Sequence, residues 1–377
     1  MIWARETAGL SVEAAAKKLK ISPGRLADFE SGEREPTRNQ IAAMSKRYYR
    51  PLVTFYLSKK PTDAKRPEDF RSLPEHPPPG SEALVAALIR DVSSRQHLVR
   101  SALEELDEDE VLPFVGSLRI SDGAEATVAS LQRLLGINRG DFRAQKTIDA
   151  AFSLLRVAAE RVGVFVILMG NLGTHHTDID VRVFRGFALA DNIAPFVVIN
   201  EKDSRSAWSF TLLHELVHIL LGATGISGYD GNAEIEKFCD TVAAIFLLGP
   251  SELGEIKLDD KPSARSLSER ISTFSGARHL SRKMVAYNLL RANLIGGSLY
   301  QELTTIFDAE RGQRKEENED EGGPNYYVVR RHRLGSGLLN TVSRMISGGA
   351  LSTPKAGIVL GVKPTAVFQL IAHDKAA

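Results

Sequence analysis

TLLHELVHILLG, residues 211–222, is the stretch on which the reading of this chain turns. It contains His214-Glu215-Leu216-Val217-His218, the spacing HExxH. On a helix, residues i and i+4 lie on one face, so His214 and His218 can aim both imidazoles at one metal ion. Glu215 follows the first histidine and projects toward the same region. A carboxylate there can take a proton from water held at the metal, which is general-base chemistry for peptide hydrolysis. Leu212, Leu213, Leu216, Val217, Ile219, Leu220 and Leu221 surround the polar residues. A helix that is apolar nearly all round is buried, and buried polar groups need partners. Two histidines and a glutamate on such a helix therefore point to a bound metal. Gly222 is placed to terminate the helix.

A hydrolytic zinc site takes three protein ligands and keeps one position open. AEIEKFCDTVAAIFLLGP, residues 233–250, reads as a second helix. Its Glu236 follows His218 by 18 positions, and Asp240 lies one turn further on. Glu-x-x-x-Asp sets both carboxylates on one face. One can bind the metal while the other accepts a hydrogen bond from a ligand histidine. Glu236 is the expected third ligand, Glu234 the alternative, and Asp240 the expected partner of the histidine. Cys239, the one cysteine, sits in an apolar helix and reads as a packing residue.

Together, VVINEKDSRSAWSFTLLHELVHILLG, residues 197–222, and EIEKFCDTVAAIFLLGP, residues 234–250, resemble the ImmA/IrrE family of metallo-endopeptidases. The features carrying the resemblance are Asn200, His214 to His218, Glu236, Cys239-Asp240 and Pro250. Asp240 departs mildly, since many members have Asn there. The resemblance implies one Zn2+ per chain in a gluzincin-like site. It also implies cleavage of a protein partner, often a transcriptional repressor, in stress or mobile-element regulation. The competing reading is a non-catalytic DNA- or protein-binding regulator on a peptidase fold. The intact Glu215 weighs against it, because a structural metal site needs no base.

The N-terminal region, residues 1–58, reads as short helices. Ser11, Ser22 and Thr37 are candidate N-caps, with Pro23 at a first helical position. Two short helices about a tight turn resemble the phage-repressor (XRE) type of helix-turn-helix, which lays its third helix in the major groove of double-stranded DNA. Residues 1–60 hold 12 Lys/Arg against 6 Asp/Glu, a balance suited to phosphate contact. Arg25 is the candidate base reader, and Lys17, Lys18 and Arg38 the candidate phosphate contacts. Val12 departs from the polar residue usual at that position, and Gly24 leaves one recognition position without a side chain. A purely structural or protein-binding helix-turn-helix stays open.

Residues 59–82 are rich in Pro and charge and read as a linker, although Phe70 and Arg71 fall in a Pro-x-Asp-Phe-Arg segment that resembles a docking motif of the family. Residues 83–297 form the expected zincin-like peptidase domain. Helices are expected around residues 81–106, 124–135 and 146–160. VGVFVILMG, DVRVFRGFALAD and APFVVIN then read as strands of a small mixed sheet before the HExxH helix. Residues 187–190 are the expected edge strand that holds an extended peptide across the metal. His175 and His176 read as exposed loop residues. Tyr229, Tyr287 and His279 are unranked candidates for a transition-state donor. Residues 298–377 are expected to hold a mobile loop, RGQRKEENEDEGGPN, and a helical C-terminal subdomain. The fold class is thus mainly α with a small mixed β-sheet.

Composition sets outer bounds. Net charge is +1 over 377 residues, so the whole chain carries no strong field. A single cysteine excludes an internal disulfide framework and suits a reducing compartment. No apolar run is long enough to span a bilayer, and the N-terminus lacks a signal-peptide core. The expectation is a cytoplasmic protein with no membrane partner.

Overall fold

The structure is a computed structural model that describes residues 1–59, 61, 80–223, 232–258, 263–317 and 325–372. Phe70, Arg71 and Tyr229 lie outside the described residues. The N-terminal helices are α1 (Ile2–Glu6), α2 (Val12–Leu19), α3 (Pro23–Ser31) and α4 (Arg38–Arg47), followed by a 3-10 turn at Leu52–Tyr56. Ser11, Ser22 and Thr37 each accept a backbone N–H as N-caps, and Gln40 returns the bond to Thr37 in a capping box. Ala15, Ala16, Leu26, Phe29, Met44 and Tyr48 pack as one small core. Arg5 pairs with Glu30 at 2.8 Å, tying α1 to α3.

The rest of the chain begins with α5 (Ser81–Glu105), α6 (Ala124–Leu135), α7 (Arg139–Arg143) and α8 (Ile148–Arg161). Three strands follow, β1 (Phe165–Leu168), β2 (Gly186–Leu189) and β3 (Phe196–Ile199). Their order is β1-β3-β2, with β1 parallel and β2 antiparallel to β3. The mixed sheet matches the expected fold class. Helices α9 (Arg205–Leu220), α10 (Asn232–Leu247), α11 (Ala264–Gly276), α12 (Arg282–Arg291) and α13 (Gly297–Glu317) come next. The chain closes with α14 (Tyr326–Leu334), α15 (Ser336–Ser347), α16 (Thr353–Leu360) and α17 (Val367–Ile371).

Every strand residue is buried, because the sheet is covered on both faces. This explains the continuous apolar runs in the sequence, where a half-solvated sheet would alternate. Val166, Leu168, Ala188, Val197 and Ile199 face a core shared with α8, α9, α10 and α12. Phe165, Ile167, Phe187, Phe196 and Val198 face a second core built with α5 and α14 to α17. The C-terminal helices and α5 thus close one side of the sheet, while the HExxH helix closes the other.

Two expectations need correction. DVRVFRGFALAD was read as a single strand, but residues 180–185 form a turn and only Gly186–Leu189 pairs with β3. Asp180 Oδ1 accepts the N–H of Arg182, and the Asn200 amide donates to the carbonyls of Ile179 and Phe184. These side-chain bonds offer the backbone a turn in place of a ladder. RGQRKEENEDEGGPN, residues 311–325, was expected to be a mobile loop, but its first seven residues belong to α13, which runs through Glu317, and residues 318–324 lie outside the described residues. Arg, Gln, Lys and Glu are strong helix formers, so charge alone did not mark a loop.

The two cores are joined by one buried cation. Arg156, 6% exposed, pairs with Glu160. It also donates to the carbonyls of Val166, His332 and Arg333, linking α8, β1 and α14. Glu160 in turn accepts from Ser336 Oγ and the Gly337 N–H at the start of α15. Arg156→Ala would leave three carbonyls without this donor and the buried Glu160 carboxylate without its cation. The expected loss is about 3–5 kcal/mol, read as a lower midpoint in urea unfolding, with Arg156→Lys recovering only part of it.

Candidate metal centre

Helix α9 enters the core at Trp208, and all residues from Thr211 to Leu220 are buried. Its polar face is met by α10. His214 Nε2 and His218 Nε2 stand 3.1 Å apart. Glu236 Oε1 is 2.9 Å from His218 Nε2, and Glu236 Oε2 is 3.1 Å from His214 Nε2. Two nitrogens and a carboxylate thus form a triangle with edges near 3 Å. Zinc with bonds of about 2.0–2.1 Å in tetrahedral geometry sets its donors about 3.3 Å apart. The donor set and spacing therefore fit a zinc-sized ion.

Asp240, on the same face of α10, meets one of the two histidines. His214 Nδ1 donates to Asp240 Oδ1 at 2.9 Å, which leaves Nε2 facing the triangle. Burial pushes the Glu236 carboxyl up, but hydrogen bonds and charge from His214 and His218 outweigh it and hold the group down at about 2. Glu234, the alternative ligand, is exposed. Cys239 is a second kind of candidate donor. It is fully buried, and its sulfur and ring nitrogens of His214 and His218 lie within 4.8 Å of one another. Position 239 follows Glu236 by three, so it shares that helical face. This spacing was the available signal, and the apolar surroundings led the sequence reading to packing instead.

Glu215 is 3% exposed. Its neighbour across the site is β2. A β-carbon at Gly186 would lie 2.9 Å from Glu215 Oε1, 2.6 Å from Thr211 Cγ2 and 3.0 Å from the Val198 carbonyl oxygen. Only glycine lets the strand pass this close to α9. Strand β2 is an edge, as expected for residues 187–190, although it runs from 186 to 189. The ladder includes Asn200 N–H to Arg185 O. Alternation then turns the N–H and C=O of Gly186 and Ala188 away from β3. Asn200 is fully buried and holds the 179–185 turn that delivers β2 to this position.

Helix α10 is anchored at its far end. Arg139 donates to the carbonyls of Phe246 and Ile245, and Arg143 to that of Leu247. Cations at a helix C-terminus satisfy its last carbonyls and its dipole. Glu252 pairs with both arginines and with Arg278. These residues position Glu236 and Asp240 from three turns away, and sequence reasoning did not identify them.

The other expected residues disperse. His279 Nε2 donates to the Gln145 carbonyl at 2.7 Å and stacks edge-on against Phe142. Tyr287 is exposed and pairs with the ring of Tyr300 on α13. Burial raises the Tyr300 hydroxyl, Tyr287 adds to this, and the nearby Arg185 charge opposes it. His175 and His176 are exposed in a short turn between β1 and β2. Lys17, Lys18, Arg25 and Arg38 are all exposed on the N-terminal helices. Arg25 lies over the Phe29 ring at 5.8 Å.

Two known families match parts of this chain. A family described as a helix-turn-helix domain matches residues 3–52. A second, described as an IrrE N-terminal-like domain within the M78 peptidases, matches residues 159–289. The second match spans the sheet, α9 and α10. No curated protein and no solved structure matches the chain. The order of the two domains is the ImmA/IrrE architecture.

Gly186→Ala tests the close approach of β2 to α9. The Val198 carbonyl is backbone and cannot yield cheaply, so the expected cost is about 1–3 kcal/mol in denaturant unfolding. Adding Thr211→Ser, which removes Cγ2, should recover part of it. An unchanged midpoint in Gly186→Ala would show that the strand and helix are further apart.

Proposed function

We propose that this chain is a zinc-dependent endopeptidase that cuts a protein partner of repressor type. The observation carrying this reading is the convergence of His214 Nε2, His218 Nε2 and the Glu236 carboxylate, with buried Glu215 alongside and an edge strand passing over it. In this reading His214, His218 and Glu236 hold one Zn2+ per chain, and Asp240 fixes the tautomer and ring orientation of His214. When bound, zinc supplies Lewis acidity toward a peptide carbonyl and toward water. Glu215 takes the proton of the attacking water and passes it to the leaving amine. Gly186 and Ala188 offer backbone groups to an extended substrate, as in strand addition. The substrate class rests on the ImmA/IrrE architecture and on the helix-turn-helix domain at the N-terminus.

The exposed Lys17, Lys18, Arg25 and Arg38 support double-stranded DNA as a second partner, bound through residues 1–58. The helix-turn-helix match is what favours this. The reading places the protein in a reducing cytoplasm. Among the described residues, no helix is long and apolar enough to cross a membrane.

Elemental analysis and cobalt substitution test the centre directly. One zinc per folded chain is expected, lost in Glu236→Ala and retained in Glu215→Gln. Cobalt-loaded protein should lack the intense near-ultraviolet band of sulfur coordination. Its presence, abolished by Cys239→Ala, would transfer the third position to Cys239. Glu215→Gln should lower cleavage of the partner by about 100-fold or more while still binding it. Folded wild type that takes up no zinc would sink the peptidase reading and leave a regulator.

For the DNA partner, a gel-shift compares wild type with Arg25→Ala. Loss of sequence preference in the variant is expected. Equal binding at raised salt would remove Arg25 as a reader.

A further inference from the structure

A cavity of about 1070 Å³ lies between the N-terminal helices, α5, the ends of β1 and β2, and the C-terminal helices. It is at the upper end of the range that holds small-molecule ligands. Most of its wall lies outside both family matches, since residues 86–97, 330, 333, 358 and 361 contribute to it. The wall is unbalanced in charge. Lys46 and Arg330 line it with no carboxylate partner among the described residues, beside the ion pairs Arg95–Asp91 and Arg333–Glu201.

Two of these cations are forced together. A β-carbon at Gly361 would overlap Arg330 Nη2 and lie 2.7 Å from Arg95 Nη2, so both guanidinium groups converge on one point. Gly361 has φ +60 and ends α16, and the two arginines donate to the carbonyls of Val359, Leu360 and Gly361. Capping α16 explains why each is near. It does not balance their charge. Arg95, 3% exposed, pairs with Asp91 at 2.7 Å. Arg330 forms no ion pair with a carboxylate among the described residues. Burial, with the adjacent Arg95 charge, pushes Arg330 down to about 10. A partly buried guanidinium beside another is relieved most by an anion. Leu168, Met169 and Leu172 give the same cavity an apolar wall.

We propose that this cavity binds a phosphorylated small molecule of nucleotide size, with its phosphate groups at Arg330, behind which the buried Arg95 adds charge, and its body against the apolar wall. Nε and Nη2 of Arg330 hold the Leu360 and Gly361 carbonyls, so the guanidinium would meet the anion through its charge and its Nη1. The occupant would touch both the helix-turn-helix domain, at residues 45–54, and the ends of β1 and β2. The same sheet carries Gly186 against Glu215 on its other face. Binding would therefore set the DNA-binding domain against the sheet that forms the candidate peptidase site. The inference stands on the cavity and does not require the chain to be a peptidase.

Calorimetric titration of the full chain at low ionic strength tests it, with pyrophosphate, adenosine diphosphate and adenosine as probes. Pyrophosphate and adenosine diphosphate should each bind once per chain, and adenosine should not. Arg330→Gln should weaken both anions by about tenfold or more. Because Arg330 also caps α16, Ser93→Glu provides a second test. It puts a carboxylate on the cavity wall without touching the arginine network and should weaken both anions similarly. No binding of either anion to wild type would overturn the proposal. So would unchanged binding in folded Ser93→Glu, which would place the anions on the basic N-terminal surface.

Discussion

The molecule is built around one electrostatic demand: a helix buried on every side carries two imidazoles and a carboxylate into an apolar core. Polar groups in that position are costly unless each finds a partner. Helix α10 meets the demand with Glu236 and Asp240, one turn apart, each facing α9. The close pairing of α9 with α10 follows from this need as much as from Leu213, Val217, Val242 and Phe246 in their shared core. The elements around the pair serve the same placement. Arg139 and Arg143 hold the end of α10, Asn200 holds the turn before β2, and Gly186 lets β2 approach Glu215.

The two faces of the sheet divide the molecule by chemistry. One face packs against α9 and the histidine pair, and lies within the matched peptidase region. The other packs against α5 and the C-terminal helices, outside either match, and borders the cavity lined by Lys46 and Arg330. Three four-residue strands separate them. Arg156 crosses between the halves at α8, and its hydrogen bonds reach both β1 and α14. A short, doubly covered sheet with a buried cation at one end is a rigid connector, because packed interiors transmit displacement and do not absorb it.

The third donor shows how burial and spacing can compete as signals. Glu236 and Cys239 share a helical face three residues apart, and both lie beside the histidines. The carboxylate contacts both ring nitrogens at hydrogen-bond distance, whereas the sulfur is bounded only within 4.8 Å. An open hydrolytic site suits the carboxylate, and a closed structural site would suit a fourth, sulfur ligand. The two donors therefore separate catalytic from structural readings of one helix face.

Much of the architecture was legible in local pattern. The three N-caps of the N-terminal domain, the span of α6, the HExxH face and the Glu236/Asp240 pairing all follow from periods of 3.6 residues and from capping chemistry, which act within one or two turns. Strand limits and partners were less legible. Val181 and Val183 look like strand residues, but a buried Asn200 bends their backbone from fifteen or more positions away. Gly186, Arg139 and the Arg95/Arg330 convergence carry no local signature at all, because each acquires its role only from segments brought together by the fold. The sequence by itself determined which helix bears the polar face and which residue types answer it, since those are matters of periodicity. Only the tertiary structure decided which strand passes over Glu215 and where unbalanced charge collects, since both depend on distances between segments far apart in the chain.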